Sequence, residues 1–100
     1  MTLDEARAEL EKCRVLIDDV DRRIVALLNE RTSVVQDIGR VKRQTQMPIY
    51  EPKREDQVFA NIGASNGGPL TAEAVRRIFE RIIDEMRMIQ RVWMKSDGEK

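Results

Sequence analysis

Residues 3–48 read LDEARAELEKCRVLIDDVDRRIVALLNERTSVVQDIGRVKRQTQMP, and one stripe of apolar side chains runs through them. The spacings within the stripe alternate between three and four, which is the repeat of a helix that packs one face against a partner. The stripe consists of Leu3, Ala6, Leu10, Cys13, Ile17, Val20, Ile24 and Leu27, followed by Val34, Ile38 and Val41. The pattern predicts one long helix over about 3–46, opened by a capping box of Thr2 and Glu5 and ended before Pro48.

The predicted length of this helix has a consequence for assembly. At 1.5 Å per residue it would be roughly 60 Å long, which is more than the width of a small domain. A chain of 100 residues also buries a smaller share of its surface than a larger domain does. We therefore expect the long helix to need a partner along its length, and self-association supplies one.

Two shorter helices are expected after the long one. Glu51 and Pro52 open a short helix over about 51–64, because proline suits the first helical turn. The residues SNGGP form a loop, and Thr71 is a suitable N-cap for a medium helix over about 72–94. The sequence therefore predicts an all-α fold of a long, a short and a medium helix, in a single domain over 1–100.

Composition narrows the function classes. Lysine plus arginine equals aspartate plus glutamate at 18 each, so no net charge favours nucleic acid as a partner. The sequence has one cysteine, Cys13, and no histidine, which disfavours an internal disulfide, a metal site and the common nucleophile arrangements. We expect no cofactor. With no apolar run that resembles a signal peptide or a membrane span, we expect a cytoplasmic protein that does not bind membranes.

Three polar residues occupy positions where apolar ones are expected. Arg31 takes a stripe position, and Lys42 lies on nearly the same helix face, about 16 Å further along the axis. A small dianion could lie between these two cations. Alternatively, Arg31 pairs with an acid of a neighbouring helix and Lys42 extends to solvent. Gln90 falls on the apolar face of the third helix, where a buried amide needs hydrogen-bond partners from another helix or from a ligand.

Other charged residues have simpler explanations when each is considered alone. Arg14 lies too far from Arg31 along the same helix to serve one site with it, although two antiparallel copies would bring Arg14 of one copy towards Arg31 and Lys42 of the other. An exposed salt bridge would equally explain Arg14. Acidic residues at the start of the second helix, Glu51 and Glu55, are ordinary partners of the helix dipole.

Several motifs together resemble the all-helical chorismate mutase family. They are an arginine at position 14, D-x-x-I-x-x-L-L-x-x-R ending at Arg31, I-G-x-x-K ending at Lys42, a proline, and P-x-R-E ending at Glu55. The resemblance continues through IFERIIDEMRMIQ in the third helix. It implies a cofactor-free isomerase that converts chorismate to prephenate in phenylalanine and tyrosine biosynthesis. It also implies an intertwined antiparallel homodimer, and it specifies no further pathway enzyme as a partner.

The resemblance assigns roles to the cations. Arg14 would complete the active site of the other subunit, and Arg31 would bind a substrate carboxylate. Lys42 would contact a carboxylate and the ether oxygen whose bond breaks. In this interpretation the catalytic residues are Arg14, Arg31, Lys42 and Gln90, where Gln90 donates to the ether oxygen from the opposite side.

The remaining substrate-binding positions lie on the second and third helices. Glu51 and Glu55 match positions that bind the ring hydroxyl, and Arg54 supports the same wall of the site. Two departures from the family pattern stand out. Glu51 replaces a common aspartate, and Met86 stands where some relatives carry a hydroxyl residue that contacts a carboxylate. Methionine cannot donate that hydrogen bond.

Two other functions fit parts of this pattern. An isochorismate pyruvate lyase would use the same scaffold, with a lysine and arginines around a cyclic dicarboxylate. A non-catalytic dimeric helical module would explain the long helix, but it has no need for Arg31, Lys42 and Gln90 on apolar faces.

Overall fold

The computed structural model describes residues 1–98, with side chains as far as Lys95, and these residues form three helices and no strand. Helix α1 spans Leu3–Thr45, α2 spans Pro52–Ser65 and α3 spans Ala72–Gly98. The predicted all-α class and the order of a long, a short and a medium helix are confirmed. Helix α3 continues past its predicted end at residue 94, because apolar periodicity reports which face packs and not where the backbone hydrogen bonds stop.

Both ends of α1 follow the local sequence. At its start, the Thr2 hydroxyl accepts a hydrogen bond from the Glu5 N–H at 3.1 Å. At its end, Gln46 has a φ of 56°, in the left-handed region. The Met47 N–H then donates to the Lys42 carbonyl at 2.8 Å, the 6→1 bond of a Schellman motif. The chain therefore turns sharply just before Pro48.

The two shorter helices begin within one residue of their predicted starts. Glu51 is the N-cap of α2, with Pro52 as the first helical residue. The Thr71 hydroxyl accepts a hydrogen bond from the Ala74 N–H at 3.1 Å and so caps α3. These signals fix where α2 and α3 start relative to the turn that follows α1.

The chain divides into two compact units, of which the first covers Met1–Val34 and the second begins at Val35. The second unit contains the last turns of α1 together with α2 and α3. Its buried apolar residues are Val35, Val75, Ile83 and Met86, and two polar residues, Lys42 and Gln90, are buried with them. Polar groups therefore form a substantial part of a small core.

The first unit consists of α1 residues that leave their apolar side chains uncovered. Leu16 and Leu27 are 68% and 64% exposed. Arg31, which was expected to be buried at a stripe position, is only half-buried. Its neighbours in the stripe, Leu27 and Val34, are exposed as well.

Two general features concern the part of the chain that is described. Within residues 1–98, no helix is both long enough and apolar enough to cross a bilayer. In the same residues, no three histidine, cysteine, aspartate or glutamate side chains are grouped as metal ligands.

Candidate active site

Lys42 is a buried cation held by two acceptors from the chain that follows α1. Its side chain is 10% exposed, and its Nζ donates to the Ile49 carbonyl at 2.9 Å. The same Nζ lies 3.2 Å from Glu51 Oε1. The turn at Gln46 makes this possible, because it reverses the chain and returns residues 49–51 to the last turn of α1. Lys42 therefore presents a positive charge at a fixed point.

Gln90 places an amide in the core opposite the end of α1. The residue is 6% exposed, and its Nε2 donates to the Val35 carbonyl at 3.2 Å. An amide NH₂ has two donor hydrogens, so one bond to Val35 orients the group and leaves a second donor for another acceptor. Gln90 is thus held as a donor by the helix it faces.

Gly39 explains why the I-G-x-x-K motif needs a glycine. A Cβ built on Gly39 would lie 3.3 Å from a ring carbon of Trp93 and 3.9 Å from Gln90 Cγ. The missing side chain therefore lets α3 pack directly on the α1 backbone. Lys42 follows three residues later on the same helix. The motif couples the close approach of α3 to the position of the buried lysine.

Glu55 pairs with a residue that the sequence reasoning did not select. Its Oε2 lies 3.5 Å from Arg87 Nε, and the two side chains are 21% and 27% exposed. Arg87 also contacts Asp84 Oδ1 through Nη2 at 2.6 Å, and its guanidinium lies 5.3 Å from the centre of the Tyr50 ring. A signal for Arg87 does exist in the sequence, because it falls four residues after Ile83 and three before Gln90 on the apolar face.

Four charged residues of the second unit line two separate cavities, and Gln90 lines neither of them. Glu55 and Arg87 line a cleft of about 270 Å³ between α2 and α3. Lys42 and Glu51 line a cavity of about 310 Å³. The other residues around that cavity are Asp37, Ile38, Val41 and Met47. The structure thus brings Lys42 together with Glu51, and Glu55 together with Arg87.

Arg54 and Met86 are two predicted substrate-binding residues with contrasting environments. Arg54 is exposed on α2, where its Nη1 donates to Gln57 Oε1 at 3.3 Å. Met86 is 7% exposed and belongs to the core. The role of Arg54 in the substrate wall stays a prediction, and so does a substrate contact of Met86.

Arg14 and Arg31 lie in the first unit. Arg14 is exposed, with its Nη1 4.0 Å from Glu11 Oε2. Because the side chain is exposed, the Arg14 guanidinium is accessible to an anion. An exposed ion pair of this kind contributes little to stability. Arg31 is half-buried. The catalytic roles of both arginines stay predictions.

Comparison with known proteins gives a consistent result over most of the chain. The family model described as chorismate mutase type II matches residues 13–91. A bifunctional chorismate mutase/prephenate dehydratase of Pseudomonas aeruginosa is 39% identical over 80 residues, which is 75% of this chain and 22% of that protein. The chain thus spans about a fifth of the length of that relative.

Two relatives are of similar size to this chain. A chorismate mutase of Methanocaldococcus jannaschii is 27% identical over 93 residues, covering 92% of this chain and 94% of that protein. The solved structure of a Thermus thermophilus chorismate mutase (form II) has a TM-score of 0.81 and 35% identity, covering 83% of this chain and 94% of the other. This chain therefore belongs to the chorismate mutase type II family.

Proposed function

We propose that this protein is a chorismate mutase, which isomerises chorismate to prephenate without a cofactor in the biosynthesis of phenylalanine and tyrosine. The observation that carries the proposal is the burial of Lys42 and Gln90, which as whole residues are 8% and 6% exposed, in the core of a member of this family. Apolar side chains of similar size would pack at least as well there. Two oriented hydrogen-bond donors in a small core therefore favour a function in which they bind a ligand.

The proposed reaction places clear demands on the site. One carbon–oxygen bond breaks at an ether oxygen while one carbon–carbon bond forms, both within a single molecule. No proton transfer or covalent intermediate is needed. The protein has to hold a flexible dicarboxylate in a compact conformation and stabilise the negative charge that develops on the ether oxygen.

The side chains divide between these two tasks. Lys42 and Gln90 donate to the ether oxygen, because both are preorganised donors in a water-poor environment. Arg14 and Arg31 bind the carboxylates, since a guanidinium matches a carboxylate with two parallel hydrogen bonds. Glu51 and Glu55 accept from the ring hydroxyl. Lys42 already has Glu51 as a partner, so its charge is compensated before substrate binds.

The proposal includes a homodimer in which Arg14 acts in the site of the partner subunit. Support comes from the first unit, where Leu10, Ile17 and Leu27 are all at least half exposed. If a second copy covered this stripe, each Å² of apolar surface removed from water would stabilise the dimer by about 25 cal/mol. The cytoplasmic location expected from the composition stays a prediction.

The first experiment measures the loss of chorismate absorbance and confirms prephenate as the product. Lys42→Ala and Arg31→Ala are each expected to lower the rate at least about a hundredfold, the usual loss for one preorganised donor. Lys12→Ala is the matched control, because Lys12 is on the same helix and its side chain is 72% exposed. Near-normal turnover in Lys42→Ala would remove that lysine from the site.

Two further assays distinguish the other functions. If isochorismate were cleaved to release pyruvate while chorismate was not rearranged, the lyase function would replace the proposal. If neither substrate reacted and a dicarboxylate analogue did not raise the melting temperature, the chain would instead be an interaction module.

A hybrid dimer tests whether Arg14 acts across subunits. Arg14→Ala and Lys42→Ala chains with different tags are coexpressed, and the hybrid is isolated through both tags. If Arg14 serves the partner, one site of the hybrid is intact and the other carries both changes. The hybrid should then show about half the activity of the wild-type dimer. A hybrid as inactive as its parents would place Arg14 in the site of its own subunit.

A further inference from the structure

Arg87 extends from α3 to the loop between α1 and α2 and to the first turn of α2. Its guanidinium lies against the Tyr50 ring at 5.3 Å, and its Nε faces Glu55 Oε2 at 3.5 Å. Tyr50 belongs to the loop and Glu55 to α2. One side chain of α3 therefore contacts both segments that carry the acids of the proposed site.

The loop is held from two directions. Lys42 binds the Ile49 carbonyl and the Glu51 carboxylate from α1. Arg87 lies against the ring of Tyr50, which is the residue between them. Glu55 follows one turn later, with its N–H donating to the Glu51 carbonyl at 3.0 Å. Each cation thus fixes one side of the segment that positions Glu51 and Glu55.

The ion pair with Asp84 does not explain why Arg87 is buried. Its bond to Asp84 joins neighbours on one helix turn, and Asp84 is 54% exposed. A pair of this kind forms equally well on a helix surface, with the arginine in water. Arg87 is instead mostly covered, and among the described residues its Nε is buried without a hydrogen-bond partner. The 3.5 Å ion pair with Glu55 compensates the charge of Arg87, but a buried ion pair is often no more stable than apolar side chains in its place, so this placement favours a role beyond folding.

We propose that Arg87 is a positioning residue of the active site, which holds the Glu55 carboxylate in place for the substrate and holds the loop before α2 through the Tyr50 ring. This inference rests on the proposed function, in which Glu55 accepts from the ring hydroxyl. Arg87 acts through Glu55, because its Nη2 is bound to Asp84 and its Nε is directed at Glu55. The ion pair restricts the rotamers of Glu55, which would otherwise be a flexible carboxylate at the start of a helix.

The position of Glu55 predicts how the kinetics change. Charge develops on the ether oxygen, and Glu55 is assigned to the ring hydroxyl, which does not take part in bond breaking. Loss of its positioning should therefore weaken substrate and transition state alike, which raises KM more than it lowers kcat. Lys42→Ala, in contrast, should lower kcat.

The test compares three variants of the full chain. Arg87→Ala is expected to lower kcat/KM roughly tenfold, within the range of couplings between residues in contact, with most of the change in KM. Arg87→Lys keeps the charge but loses the planar contact with Tyr50, so its KM should lie between that of the wild type and that of Arg87→Ala. Arg81→Ala is the matched control, because Arg81 is on the same helix, is 72% exposed and binds only at the surface to Glu85. Its kinetics should equal those of the wild type.

A double-mutant cycle separates positioning from a general effect on folding. If Arg87 acts through Glu55, adding Arg87→Ala to Glu55→Gln should change kcat/KM by less than about twofold. If the two effects multiply instead, Arg87 does not act through Glu55. The inference is also overturned if Arg87→Ala lowers the melting temperature but leaves KM equal to that of Arg81→Ala.

A measurement that does not depend on activity distinguishes this inference from the proposed function. Tyr50 is the single tyrosine of the chain, so tyrosine labelled with ¹³C at the ε ring positions gives a signal that belongs to this ring alone. Arg87→Ala should shift that signal and Arg81→Ala should not. An unmoved signal would overturn the inference. If the wild type failed to convert chorismate while the signal moved, the proposed function would fail, and Arg87 would still be shown to hold the loop.

Discussion

Replacing Gln90 with methionine separates two roles of a buried amide, which are to stabilise the fold and to act on a ligand. Methionine is unbranched and similar in length, so it fills the space without new branching. The change removes the 3.2 Å hydrogen bond from Nε2 to the Val35 carbonyl. It also removes the second N–H, which is the donor that the proposed function assigns to the ether oxygen.

The effect on stability follows from the geometry of the acceptor. The Val35 carbonyl lies inside α1, where helical geometry also pairs it with the Gly39 N–H, so no buried acceptor is left without a donor. One neutral hydrogen bond contributes about 0.5 to 1.5 kcal/mol, and the gain from burying a less polar side chain offsets part of this. We expect the free energy of unfolding to fall by no more than about 1 kcal/mol, or roughly 4 to 8 °C in Tm.

The effect on activity should be far larger. Loss of one preorganised donor to a developing oxyanion typically costs about a hundred- to thousandfold in kcat. Chorismate absorbance and thermal unfolding are measured on the same preparations at equal protein concentration. Gln44→Met is the matched control, because Gln44 is exposed on α1.

Two results would refute this reasoning. Turnover of Gln90→Met within about threefold of the wild type would show that the amide is not the catalytic donor, since a preorganised donor contributes more. A fall in Tm of more than about 15 °C would show that the hydrogen bond to Val35 is a main support of the fold, which contradicts its expected contribution.

Three other substitutions test the fold, and a fourth tests the proposed dimer interface. Gln46→Gly should raise the free energy of unfolding by about 0.5 to 1 kcal/mol in thermal denaturation, because glycine adopts the positive φ of this position without strain. Thr71→Ala should lower it by about 1 kcal/mol through loss of the N-cap bond, with kcat/KM unchanged. Gly39→Val should lower it by about 1 to 3 kcal/mol, since its Cβ would meet Trp93 at 3.3 Å, and kcat should fall as Gln90 moves. Ile24→Glu should raise the dissociation constant of the proposed dimer at least about a hundredfold in sedimentation velocity, and an unchanged constant would exclude this face from the interface.

Much of the fold could be predicted because its signals are local. Pro48 and the Thr71 cap act within a few residues, so the start of α3 and the end of α1 follow from the sequence alone. Burial in the first unit could not be predicted in the same way. The stripe through Ile24 and Leu27 indicates a face that packs, but it does not say whether the chain itself covers that face.

In the candidate site, too, some residues could be predicted from the sequence and others could not. Gln90 and Lys42 were predicted because each is a polar residue on an apolar face, and both are buried in the structure. Arg87 was not selected, because the bond that identifies it joins α3 to Glu55 of α2 and depends on how the two helices pack. Contacts between elements distant in sequence leave only a weak signal in a single sequence.

The packing of Trp93 on Gly39 gives the protein an internal optical reporter. Trp93 is the single tryptophan of the chain, and its ring lies 5.5 Å from the Arg43 guanidinium and, like Gln90, against Gly39. A cation that moves over an indole ring, or a change in the polarity around it, alters its emission. Intrinsic fluorescence therefore follows the contact between α1 and α3 without a label, so ligand titrations and rapid-mixing experiments can observe the turn that carries Lys42 directly.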